Sequence, residues 1–126
     1  MSSLDQERSA YAWEKVQNCS SDYANLAKSA PALIMTNGLM QTLAFFKAKD
    51  KAKDKEHEIL NTHIIEWLGV RFKGVGAFPE NEKKADFQSV MAALHQSEPA
   101  VYRRASEEVL ALLRWIRQFA SAVRAS

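Results

Sequence analysis

The stretch PALIMTNGLMQTLAFFK, Pro31 to Lys47, decides the fold. Apolar residues recur on nearly every side of it at helical spacing, and a helix hydrophobic all round finds a partner for each face only at the centre of a bundle. It therefore reads as a central, buried helix. Asn37 and Gln41 lie one turn apart in its middle, so on a buried helix both amides must be hydrogen-bonded or face an opening to solvent or a partner. Gly38 lies between them. Glycine inside a helix costs roughly 1 kcal/mol against alanine, which points to another backbone passing close by.

Working outward, Leu4, Tyr11, Ala12, Val16 and Cys19 fall at multiples of three, four and seven, an amphipathic helix from Leu4 to about Cys19. Glu7, Arg8, Glu14, Lys15 and Gln17 populate its outer face, with Trp13 at the boundary. Ser20, Ser21 or Asp22 can cap a short helix through Ala30. Pro31 then ends that helix or opens the next, and a bend is expected there. After the central stretch, KAKDKAKDKEHE (47–58) reads as a solvated helix end or loop of nearly cancelled charge. Ile59, Leu60, His63, Ile64, Trp67 and Leu68 predict a helix from about Asp54 to Leu68 or Val70. The glycines Gly69, Gly74 and Gly76 follow in an interhelical loop pinned by one or two aromatics. This loop lacks the lysine followed by serine or threonine of a phosphate-binding loop.

A short helix is expected from about Lys84 to His95, then a break at Ser97-Glu98-Pro99, with Ser97 as cap and Pro99 in the first turn of the last helix. That helix is the clearest periodic segment, with Val101, Ala105, Val109, Leu112, Ile116, Phe119 and Val123 stepping by three or four. Strand patterns are absent. The chain reads as all-α: a compact bundle of five to six helices forming a single domain over residues 1–126.

Composition agrees. At 126 residues, 47% hydrophobic and 25% charged, the chain can bury one sizeable core and is not disordered. Its one cysteine, Cys19, makes no internal disulfide and reads as a small buried hydrophobe. The N-terminus lacks a signal-peptide pattern and no apolar run reaches the roughly 20 residues of a membrane span, so cytoplasm is the expected compartment.

A net charge of +2 is too mild to announce nucleic-acid binding, but its distribution is uneven. From Arg103 onward there are five arginines against Glu107 and Glu108. At 100° per residue Arg103, Arg114, Arg117 and Arg124 share one flank about 35 Å long. Such a flank can follow phosphates or line an acidic partner; a solvated face interrupted by Glu107 fits the same residues. His57, His63 and His95 sit in no nucleophile, metal or acid–base pattern. His63 and Glu66 are a turn apart, which makes a surface ion pair or a satisfied half-buried histidine rather than a metal site. No catalytic residue, metal, cofactor, membrane or small-molecule substrate is expected.

Two segments carry a resemblance. PALIMTNGLMQTLAFFK and YRRASEEVLALLRWIRQFA, Tyr102 to Ala120, together resemble the Cmr small subunit, the all-helical component of the type III-B CRISPR RNA-guided complex. YAWEKV at Tyr11 to Val16 and EWL at Glu66 to Leu68 extend the match along the chain. The resemblance implies a non-catalytic subunit of an antiviral ribonucleoprotein. Copies would stack head to tail beside the backbone subunits and help hold guide and target RNA. Its partners would be other Cmr subunits, copies of itself and those RNAs. Carried onto the matched positions, it makes Lys47, Arg103, Arg104, Arg114 and Arg117 the first candidates for RNA or subunit contact, with Trp67 and Trp115 structural. The competing expectation is a stand-alone helical adaptor that grips a protein partner around Asn37 and Gln41.

Overall fold

Residues 2–125 are described by a computed structural model, and positions 1 and 126 of the expected domain lie outside the described residues. Six helices run in the order α1 (Leu4–Val16), α2 (Ser21–Asn37), α3 (Leu39–Lys47), α4 (Lys55–Arg71), α5 (Phe87–Gln96) and α6 (Pro99–Ala125), with one 3-10 turn at Glu82–Lys84 before α5. Among the described residues there is no strand, and no helix is long and apolar enough to cross a membrane. The all-α bundle expected from periodicity is the observed architecture.

Local chemistry sets the boundaries. Ser3 and Gln6 form a reciprocal cap at the start of α1, the serine hydroxyl accepting from the Gln6 N–H at 3.1 Å and the glutamine carbonyl accepting from the Ser3 N–H at 2.8 Å. α1 stops at Val16, short of Cys19, because Asn18 takes a left-handed φ of 61°. Ser20 caps α2, accepting from the Tyr23 N–H at 3.0 Å. The expected bend does not interrupt the helix: Pro31 lies inside α2, where Ala27, Ala30 and Ile34 on either side of it bury into one core. Ser97 ends α5 instead of capping α6, its hydroxyl donating to the Ala93 carbonyl. The first turn of α6 closes on Glu98, whose carbonyl accepts from the Val101 and Tyr102 N–H groups. α5 opens at Phe87 under a reciprocal Asp86–Ser89 cap, three residues later than expected.

The stretch Pro31–Lys47 is not one central helix. Gly38 breaks it with φ 89° and ψ 160°, a conformation confined almost entirely to glycine. A Cβ there would lie 3.7 Å from the Tyr102 hydroxyl, an ordinary contact, so backbone conformation and not a close neighbour requires this glycine. The Tyr102 hydroxyl accepts from the Met40 N–H at 3.1 Å and so caps the start of α3. The two helices each bury a single side, which includes Ala27, Ala30 and Ile34 on α2 and Leu39, Thr42, Leu43 and Phe46 on α3. Asn37 and Gln41 face outward.

The helix surrounded on most sides is α4, which packs against α2, α3, α5, α6 and the 3-10 turn. Leu60, Asn61, Ile64, Ile65, Trp67, Leu68 and Gly69 are all buried on it. Gly69 lies inside this helix and not in the loop, and it is the glycine of close approach, since a Cβ would overlap that of Ala85. Beyond it Phe72 and Phe78, each 3% exposed, stack at 5.4 Å and pin the loop as expected. α6 lies along α1 and α2, burying Ala105, Val109, Leu112, Leu113, Ile116 and Ala120.

Candidate nucleic-acid and subunit interface

The core stripe of α6 determines where its arginines point. With Ala105, Leu112 and Ile116 inward, the 100° step turns Arg103, Arg114 and Arg117 to the opposite side, and all three are exposed. Arg103 and Arg117 form no ion pair among the described residues. Arg114 stands beside Trp115 and Gln118 over a shallow depression that also holds Asp5 and Arg8. Arg124, at the far end of the flank, is tied down, donating from Nη1 to the Cys19 carbonyl at 3.1 Å. Arg104 is exposed on a different flank, its guanidinium 5.4 Å from the Phe72 ring centre.

Lys47 is elsewhere. It ends α3 with its ammonium 5.5 Å from the Phe87 ring centre, in a groove bounded by α3, α4 and the segment entering α5, which none of these arginines lines. The five candidates therefore divide among three surfaces: Arg103, Arg114 and Arg117 on the outer face of α6, Arg104 over the Phe72 loop, and Lys47 in the groove.

Beneath the arginine face lies a polar staple that periodicity alone did not single out. Glu108, 8% exposed, accepts from Arg8 Nε at 2.7 Å and Nη2 at 2.9 Å, and its Oε2 also accepts from the Trp67 indole at 2.9 Å. Burial pushes the Glu108 carboxyl up, but the Arg8 and Trp67 hydrogen bonds and the Arg8 charge outweigh it and hold the group below its ordinary value. The Trp115 indole donates to Asp5 at 2.9 Å and, with Arg8, lowers that carboxyl too. α1, α4 and α6 are thus joined around one bidentate pair. Arg8 belongs to this pair and not to the outer face of α1. The signal was present: Arg8 lies one turn before buried Ala12, and Glu108 one turn before Leu112.

His63 is a satisfied half-buried residue: its Nδ1 shares a hydrogen bond with the Tyr23 hydroxyl at 2.7 Å, and its backbone carbonyl accepts from Tyr11 at 2.6 Å. Burial, and secondarily Lys15, pushes its pKa down to about 4. Glu66 faces Lys15 at 3.7 Å. Burial raises the Cys19 thiol, which fits an unreactive side chain. Asp54, Glu56 and His57 place one possible metal-ligand atom each within 4.8 Å at the start of α4, a grouping absent from the sequence reading.

A sequence model of the family described as CRISPR-associated protein (Cas_Cmr5) matches residues 4–123, from the first residue of α1 nearly to the end of α6. The chain belongs to the Cmr5 family. This is the small-subunit family that the two long motifs resemble. Consistent with that membership, it is 28% identical over 117 residues to the CRISPR system Cmr subunit Cmr5 of Thermus thermophilus, covering 89% of this chain and 88% of that protein. It also superposes on the crystal structure of a CRISPR-associated Cmr5 family protein from the same organism with a TM-score of 0.75, at 26% identity and over 98% of both chains. The Cmr5 match therefore spans the whole bundle, both halves of the broken Pro31–Lys47 stretch included.

Proposed function

We propose that this Cmr5-family chain is a non-catalytic structural subunit of the type III-B Cmr ribonucleoprotein in antiviral defence. Copies stack beside the backbone subunits and help hold guide and target RNA. The single observation that carries the reading is family membership along nearly the full chain, residues 4–123. The exposed, unpaired Arg103 and Arg117, with Arg114 beside them, support an RNA contact on α6, because unpaired guanidinium groups are available to phosphate. Lys47 and Arg104 serve the same partners from the neighbouring surfaces.

Purification of the tagged chain from its host, with sequencing of bound RNA, tests this. Guide RNA and large partner subunits are expected to co-purify. A protein partner that persists without RNA after nuclease treatment and high salt would instead establish the adaptor reading. Within the complex, Arg103→Glu combined with Arg114→Glu is expected to weaken RNA retention while leaving helix content by circular dichroism unchanged. Wild-type retention at moderate salt would remove those two residues from the interface.

A further inference from the structure

Three metal-ligand groups at the start of α4 converge without being committed to anything else. Asp54 is the last residue before the helix, where a carboxylate ordinarily accepts from an N–H of the first turn, and its side chain does not. Its backbone carbonyl accepts from the His57 N–H at 3.0 Å, so the two residues share one turn. One ligand atom each of Asp54, Glu56 and His57 lies within 4.8 Å of the others. The His57 Nδ1 faces Glu56 Oε1 at 3.6 Å, too far for a hydrogen bond, and it is buried with no hydrogen-bond partner. An orphaned buried ring nitrogen is costly to maintain. Packing holds it in place, because the His57 ring stands edge-on to Phe46 and Phe45, with centroids 5.4 and 6.2 Å away.

The charges at this point ask for a cation. Two carboxylates gathered beside one imidazole repel each other unless something positive stands between them. Among the described residues neither Asp54 nor Glu56 forms an ion pair with a lysine or arginine. Of the neighbouring lysines, Lys51 is paired with Glu58 at 3.4 Å, Lys49 lies 4.6 Å from the Phe45 ring centre, and Lys53 and Lys55 are exposed. The Glu56 and His57 side chains are each 14% exposed, so water screens the cluster poorly. A protonated His57 would meet Glu56 and still leave Asp54 without a partner.

We propose that Asp54, Glu56 and His57 hold one divalent transition-metal ion of the zinc class, through one oxygen of each carboxylate and the His57 Nδ1. Imidazole beside carboxylate suits zinc, cobalt or manganese, whereas magnesium and calcium take oxygen ligands. Three protein ligands leave at least one position for water. The positive end of α4 opposes any cation, which sets the affinity in the micromolar range and not the nanomolar. The ion fastens the end of the α3–α4 connection to the first turn of α4 behind Phe45 and Phe46. The site is independent of the subunit reading above, which is tested by co-purification.

Calorimetric titration of the untagged, chelator-stripped full chain with zinc chloride tests the site, with the bound nitrogen identified from the histidine side-chain resonances of the isotope-labelled chain. One zinc ion per chain is expected, moving the His57 Nδ1 resonance and leaving those of His63 and His95 in place. Saturating zinc should raise the melting temperature by about 5 °C, because the ion favours the folded chain. Even the outer partners of metal ligands are worth roughly tenfold in affinity, so Asp54→Asn and Glu56→Gln should each weaken zinc at least that much. Without metal both variants should melt no lower than wild type. Zinc that moves only His95, affinity unchanged in both variants, or magnesium bound as tightly as zinc would each overturn the proposal. Those results point respectively to an adventitious ion only, to ligands elsewhere in the chain, and to plain attraction between carboxylates and any dication. No heat and no resonance shift at millimolar zinc would also overturn it, leaving His57 as a partner of Glu56 alone.

Discussion

Glu108 shows what a single side chain does in this bundle. Its carboxylate binds the Arg8 guanidinium and the Trp67 indole at once, so truncation leaves a half-buried guanidinium with exposed Asp5 as its remaining counter-charge and the buried Trp67 N–H without its acceptor. Glu108→Ala is expected to cost about 3 kcal/mol in urea denaturation, and Arg8→Met with Glu108→Leu together far less, because no charge is then left unpaired. His63 predicts a pH dependence. Its folded pKa, about 4, lies below the ordinary 6.5, so the unfolded chain takes up the proton first. The stability that this neutral imidazole contributes is complete above pH 6.5 and declines as pH falls toward 4, a loss on the order of 3 kcal/mol. Denaturation midpoints measured between pH 7 and pH 5 should fall in the wild type and flatten in His63→Gln. Trp67 and Trp115, expected to be structural although they lie in the matched motifs, each donate an indole N–H to a carboxylate of another helix. The inward direction of Arg8, one turn before Ala12, is readable from helical spacing, but its partner one hundred residues away is not.

At the scale of elements, two glycines act for opposite reasons. Gly38 has room for a Cβ but a backbone conformation that side chains rarely adopt, whereas Gly69 has ordinary helical geometry and no room. Gly69→Ala is expected to cost about 2 kcal/mol by overpacking against Ala85, and adding Ala85→Gly should recover most of it. Gly38→Ala is expected to cost between about 1 and 3 kcal/mol, and no trimming of a neighbour should restore it. Paired chemical denaturation curves separate the two cases. The sequence pattern misplaces the two glycines for different reasons. Apolar residues stay in helical phase through Gly38, so periodicity reads across a real break, while Gly69 sits beside two further glycines and was grouped with their loop. Pro31 is the converse case: a residue that usually ends helices lies inside one, because the apolar face around it is continuous.

For the molecule as a whole, the number of helices and the burial of α6 follow from periodicity, but the identity of the central helix does not. Pro31–Lys47 is the most uniformly apolar stretch, yet α4 occupies the middle, its polar His63 and Asn61 satisfied or buried in ways that hydropathy does not register. The charged surface of α6 and that of the groove outside α4 are therefore separate, which gives RNA contact a signature that can be divided. If α6 holds phosphates, each arginine contact releases counterions, and the logarithm of affinity falls with the logarithm of salt by roughly 0.7 per single-strand contact. Arg103→Gln with Arg117→Gln, both exposed and both outside the Glu108 staple, should then lower that slope by roughly 1.4 in salt titrations of RNA binding while leaving the melting temperature where it was. A slope equal to the wild type would mean that the outer face of α6 meets protein and not phosphate. Those arginines would then be candidates for contact with a neighbouring subunit alone.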